Sequence, residues 1–285
     1  MPIRSLARVA LPISMALWAT ALGCGGTTAS EQVASASAAA TRAPVAQQAH
    51  GAVRLFGNAL GDVPMTAAQR SQIEQLAVEA EVRHAAVRAA HRDLALALAA
   101  QIQAGSIDRQ ALGPAIAAVS AALSVAEPAD RAAVERLHAI LGPDQRIAFV
   151  DALEARLHEH TGQLRGHRGR EWAIELKLSD DQRAQIKAAL EQRGRAAGLE
   201  PEAGRRGMDQ GQRGAKWLDA FKEDRFVLDD IAPGRQDKGG QKAIGWFLGV
   251  AEAALPVLTP EQRTIAAEKL RARAQDPDGA VPMLP

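Results

Sequence analysis

A chain of 285 residues can bury one large core or two small ones, and its 47% apolar content is mostly Ala, Leu, Val and Ile with only 3% aromatic side chains and no Tyr. This composition favours helices over strands, because straight-chain and small residues lose little rotamer freedom on a helix. A formal net charge of +1 lacks the basic excess that nucleic-acid binding requires, and a single cysteine excludes a disulfide framework or a multi-thiolate metal site.

Residues 1–23 read as a secretory signal: Arg4 and Arg8 precede an apolar run from Val9 to Leu22 that is short for a membrane span. The junction Ala21-Leu22-Gly23-Cys24 resembles a bacterial lipobox, with Ala21 where Leu is usual. The resemblance implies an acylated Cys24 and an envelope location. The protein would be held to a membrane by an N-terminal lipid, and Gly25 in place of an acidic residue points to the outer membrane. Residues 24–55 are rich in Ala, Ser, Thr and Gln with no apolar period over most of their length, and are expected to be a flexible tether.

Four short segments then share one pattern. They are Met65-Thr66-Ala67-Ala68-Gln69-Arg70, Leu141-Gly142-Pro143-Asp144-Gln145-Arg146, Leu178-Ser179-Asp180-Asp181-Gln182-Arg183 and Leu258-Thr259-Pro260-Glu261-Gln262-Arg263. Their starts lie 76, 37 and 80 residues apart, a long-short-long spacing that predicts two modules, at 56–165 and 166–275, ahead of a tail at 276–285. Thr or Ser followed three residues later by Gln is a capping box, so each segment is expected to start a helix; Gly142 lacks the hydroxyl and makes the weakest box. Pro143 and Pro260 suit the first helical position.

A helix is expected from Thr66 to about Ala104, where Ile73, Leu76, Ala80, Val87, Leu94, Leu98 and Ile102 mark one apolar stripe. Gly105-Ser106 ends it. A second helical tract starts near Ile107, with kinks or restarts at Pro114 and Pro128. Pro143 to about His160 completes the first module. In the second, Ser179 to about Arg195 is a shorter counterpart of the first long helix. Gly194–Gly214 is expected to be a loop, and helix resumes near Ala215. A break at Pro233–Gly240 precedes helices at Gln241–Leu255 and from Pro260.

The paired Leu-Thr-x-x-Gln segments resemble the LTxxQ-motif (Spy/CpxP-like) family of periplasmic stress proteins, over most of residues 56–274. Ser106-Ile107-Asp108 and Asp224-Arg225-Phe226 are similar to the break that such modules carry between motifs. The resemblance implies an all-α fold of two tandem helical hairpin modules, and two modules in one chain suggest an intrachain pseudo-dimer cradle, with a homodimer as the other arrangement. It also implies an ATP-independent envelope chaperone or stress adaptor that binds unfolded or partly folded envelope proteins and needs no cofactor. Two other readings stay open: a Zn, Ni or Cu sensor or resistance protein of the same fold, and a structural lipoprotein without a client.

No catalytic constellation accompanies these motifs, and an enzyme is not expected. The metal reading would use His84 and His91, seven apart on one helix, with His158, His160 and His167. Surface or internally satisfied histidines are the plainer expectation. Among the aromatics, Trp217, Phe221, Phe226, Trp246 and Phe247 are candidate client contacts, although most large rings in a thin helical fold should serve the core.

Overall fold

A computed structural model describes residues 40–196, 216–231 and 238–276; side chains are described for these except at 160–170, 196 and 238–243. The signal, Cys24, the first part of the tether and nearly all of the tail lie outside the described residues. The fold is all-helical. Its elements are α1 (Gly51–Gly61), α2 (Ala67–Ala104), α3 (Arg109–Ile140), α4 (Pro143–Glu175), α5 (Asp180–Ala196), α6 (216–222), α7 (Leu228–Ile231), α8 (Lys238–Ala254) and α9 (Pro260–Gln275), with a 3-10 turn at Leu255–Val257 before α9.

All four motif segments begin helices. At α2, Gln69 N donates to Thr66 Oγ1 (3.2 Å) while Thr66 N donates to Gln69 Oε1 (3.0 Å), which satisfies two otherwise orphaned amides. Ser179 with Gln182 at α5 and Thr259 with Gln262 at α9 repeat the pair. At α4, Gly142 has no hydroxyl, so only the returning bond to Gln145 Oε1 forms, at 2.9 Å. The first long helix ends where Gly105 adopts φ +85, a left-handed conformation that costs glycine little. Asp108 then caps α3 by accepting from Gln110 N and Ala111 N.

Three expectations need correction. The tether ends well before residue 55: a single bridge pairs Thr41 with Met65, Val45, Ala46 and Ala49 are buried, and α1 follows. Residues 40–50 form a strap that small side chains allow to sit close to α1. A Cβ at Gly57 would lie 2.6 Å from the Val45 carbonyl oxygen. The strap is held from α2, where Ala46 N donates to Glu74 Oε1 (2.9 Å) and His50 N to Glu81 Oε1 (2.8 Å). In an isolated helix Gly→Ala stabilises by roughly 0.5–1 kcal/mol. Here Gly57→Ala is expected to destabilise instead, by about 1–3 kcal/mol, since backbone must move. Thermal melts and proteolysis within 40–50 would check the sign.

Secondly, α3 runs unbroken through Pro114 and Pro128. Both prolines are on its exposed side, so the carbonyls they leave unpaired, Gln110 and Ser124, can be served by water. Thirdly, α4 continues past His160 to Glu175, so the expected module boundary at 165/166 falls inside one helix.

Among the described residues there are two large apolar cores, both drawing on the two halves, beside a small cluster of Ala46, Ala49 and Ala77 under the strap. The first joins Leu60, Met65, Ile73, Phe149 and Leu153 to Leu218, Phe221, Phe226 and Leu228. The second joins Leu94, Leu98, Leu112 and Val119 to Ile244, Leu248, Leu258, Ala267 and Leu270. α2 packs along α3 and also along α9, while α1 packs on α4.

Candidate functional site

The motif segments do more than start helices. Within each long gap the two segments meet head to head through their glutamines. Gln69 Nε2 donates to Gln145 Oε1 (2.8 Å) and Gln145 Nε2 returns the bond to Gln69 Oε1 (3.1 Å). The second proton of each amide goes to main chain just ahead of the partner segment: Gln69 to the Ile140 carbonyl (2.8 Å), Gln145 to that of Pro64 (2.6 Å). Gln182 and Gln262 repeat this staple at 2.8 and 3.1 Å, with Val257 and Leu176 supplying the carbonyls. Each side chain thus caps its own helix and spends both donors on its partner. Glutamate could cap as well but has no proton to give.

The arginine after each glutamine has its own target. Arg70 holds the strap through the Ala43 carbonyl (2.7 Å) and that of Thr41. Arg146 reaches across 78 residues to Asp224 Oδ1 (2.8 Å) and donates to the Glu223 carbonyl. Arg263 lies against Gly105, where a Cβ would meet its guanidinium. The second arginine of each half therefore meets a turn in the other half, Arg146 the one at 223–226 and Arg263 the one at Gly105. Ser106-Ile107-Asp108 and Asp224-Arg225-Phe226 both fall in such turns, where the sequence placed the breaks. Arg183 differs, pairing locally with Asp180 of its own segment. The targets of Arg70, Arg146 and Arg263 were not legible, because they are long-range; the recurrence of Arg in all four segments was the available signal.

Exposed apolar side chains gather elsewhere. Val78 and Val82, one turn apart on α2, are 62% and 73% exposed, and Val125 on α3 is 82% exposed. Between Arg109 and Glu127 the α3 sequence carries no charge, and Ala111, Pro114, Ala117, Ala118, Ala121 and Ser124 are all exposed. By length and composition α3 is the one helix among the described residues able to cross a membrane. The aromatics behave differently. Phe221 is fully buried and Phe226 nearly so, packed edge-on to each other with Phe149 and Trp217 beside Phe221. In this arrangement neither Phe221 nor Phe226 can touch a client, which corrects that expectation for both. Trp217 and Phe247 are half-buried, and Trp246 is 69% exposed.

The polar groups are engaged in holding helices. Burial alone would raise the Asp130 carboxyl, but hydrogen bonds from His84 (2.8 Å) and Arg83, with their charges, outweigh it and hold Asp130 below its ordinary value. The Glu252 carboxyl is likewise held low, chiefly by Arg109 and then by Arg193, tying α3, α5 and α8 together. His91 is pushed down by burial and bonds the Val87 carbonyl of its own helix. His158 Nδ1 donates to the Glu154 carbonyl (2.9 Å). The side chains of His160 and His167 lie outside those described. Among the described residues, no group of three His, Cys, Asp or Glu is placed to hold a metal ion.

Compared with family models, with curated proteins and with solved structures, the chain matches none, so its functional reading rests on its own residues and their geometry.

Proposed function

We propose that this chain is an ATP-independent envelope chaperone or stress adaptor, tethered through a lipid on Cys24, whose duplicated hairpins pack as a pseudo-dimer within one chain. The pseudo-dimer reading is supported by the two glutamine staples and by the way Arg146 and Arg263 each meet a turn of the opposite half. The client reading is carried by the uncharged, exposed face of α3 around Val125, beside which α2 exposes Val78 and Val82 among charged residues such as Glu74 and Glu79. A long helical layer with that much apolar surface facing water suits weak, non-sequence-specific contact with unfolded chains.

The test is suppression of aggregation of a reduced, unfolding test protein, run with and without zinc. The intact chain is expected to suppress it without zinc or nucleotide. Val82→Asp with Val125→Asp should weaken client affinity by at least about tenfold, since each valine offers about 1.5 kcal/mol of burial. The melting temperature should stay unchanged, because both side chains are exposed. A wild-type chain without suppression would sink the reading, and suppression only with zinc would favour a metal protein of the same fold. Light scattering should give a monomer, and palmitate labelling should disappear in Cys24→Ala.

A further inference from the structure

The first core contains a buried basic pair that the client reading does not use. His138, on α3, is only 7% exposed, and Arg146, on α4, 6%. The imidazole stacks on Phe226 and meets Phe221 edge-on, with both centroids 5.1 Å away. Its Nε2 is 2.8 Å from the Glu223 carbonyl oxygen and 2.7 Å from Arg146 Nη1. A neutral ring fits either neighbour, according to its tautomer. With its proton on Nε2 it donates to Glu223; with the proton on Nδ1 it accepts from Arg146. A doubly protonated ring can only donate, and it sets a second cation against the guanidinium in a site without bulk water.

We infer that His138 and Arg146 form an acid-released latch: protonation of His138 frees residues 216–231 from α3 and α4 and uncovers Trp217, Phe221 and Phe226 as an apolar binding surface. The charges around the ring do little to oppose this. From α4 the facing group is Arg146. From the 223–226 turn it is Asp224, whose side chain is 90% exposed and well screened, while Glu223 presents its carbonyl. Lys222 of α6 turns to Asp151, and on α3 itself Glu135 accepts from Leu228 N while Arg131 pairs with Asp229. Burial first, and the Arg146 charge as well, hold the imidazole below its ordinary value of 6.5 against the opposing Glu223 bond and Asp224. A group depressed in the closed state stabilises it above the free value. That stability is lost as pH falls below about 6.5, by at most about tenfold in the latch equilibrium per pH unit for one proton.

The consequence for binding rests on the chaperone reading, but the latch does not, and the two are separable. Hydrogen exchange on the intact chain at pH 7.5 and 5.5 stays above the ordinary carboxylate range. Wild type is expected to lose protection over 216–231 and the start of α4 at pH 5.5 while the middle of α2 keeps its own. His138→Gln, a neutral donor, should keep 216–231 protected at both values. Equal acid loss in His138→Gln, or none in wild type, overturns the latch; His91, half-buried on α2 and likewise pushed down by burial, would then be the first group to examine for any such loss. Should that variant fail to fold, NMR titration of His138 in wild type decides: a value at or above 6.5 overturns the proposal, and a lower one coincident with opening supports it. Loss of protection without greater aggregation suppression at pH 5.5 leaves the latch standing and counts against the chaperone reading.

Discussion

Replacing Phe221 by alanine is expected to lower the unfolding free energy by about 3–5 kcal/mol, the range for truncating a fully buried ring. The side chain is wholly enclosed, within 5.1–5.5 Å (centroid to centroid) of Phe149, Trp217, Phe226 and His138. These neighbours come from α3, α4 and the 216–226 segment, so the cavity would open where the halves meet and could not close by a small local shift. For a domain of this size the melting temperature should fall by roughly 10 °C. Scanning calorimetry would measure it, with Trp246→Ala as the contrast. That ring is 69% exposed, so its loss should cost no more than about 0.5 kcal/mol. Equal effects from the two substitutions would mean that Phe221 is not where the structure places it.

The second large effect concerns the glutamine staples. In a lone capping box Gln and Glu are interchangeable, so Gln69→Glu with Gln145→Glu would be nearly neutral if capping were the only role. In the staple the double change removes every cross-pair donor, strands the Ile140 and Pro64 carbonyls and places two carboxylates within about 3 Å. A loss of about 3–4 kcal/mol at neutral pH is expected. Like charges raise the folded pKa of the pair above its unfolded value. The folded variant therefore binds more protons than the unfolded one, and the lost stability should return as pH falls toward 5 and below. Denaturant titrations at pH 7.5 and 5 would show this recovery. Gln69→Glu alone should cost less, because Gln145 Nε2 can still donate to the new carboxylate.

What was legible in the sequence was local. Capping boxes are read within four residues, and the starts of α2, α4, α5 and α9 fall where Thr66, Pro143, Ser179 and Thr259 put them. Gly105-Ser106 marked the end of one helix for the same reason, and the next begins at Arg109, two residues beyond the Ile107 that the sequence suggested. The strap was not legible, since its alanine-rich residues carry no period and are fixed by Glu74 and Glu81, far along the chain. The prolines of α3 misled because their cost depends on which side they face. Ala-rich helix tolerates them where the freed carbonyls stay wet. The aromatics were legible as a class but not individually. Composition shows that few rings must fill a core, but only packing shows Phe221 inside and Trp246 outside.

The unbroken α4 has a consequence for how such a chain can be altered. Its 33 residues make a rod of about 50 Å that belongs to both halves. Neither half is portable: Phe149 and Leu153 wall the first core and Trp172 packs on the second, so a cut along the rod takes a wall from one core or the other.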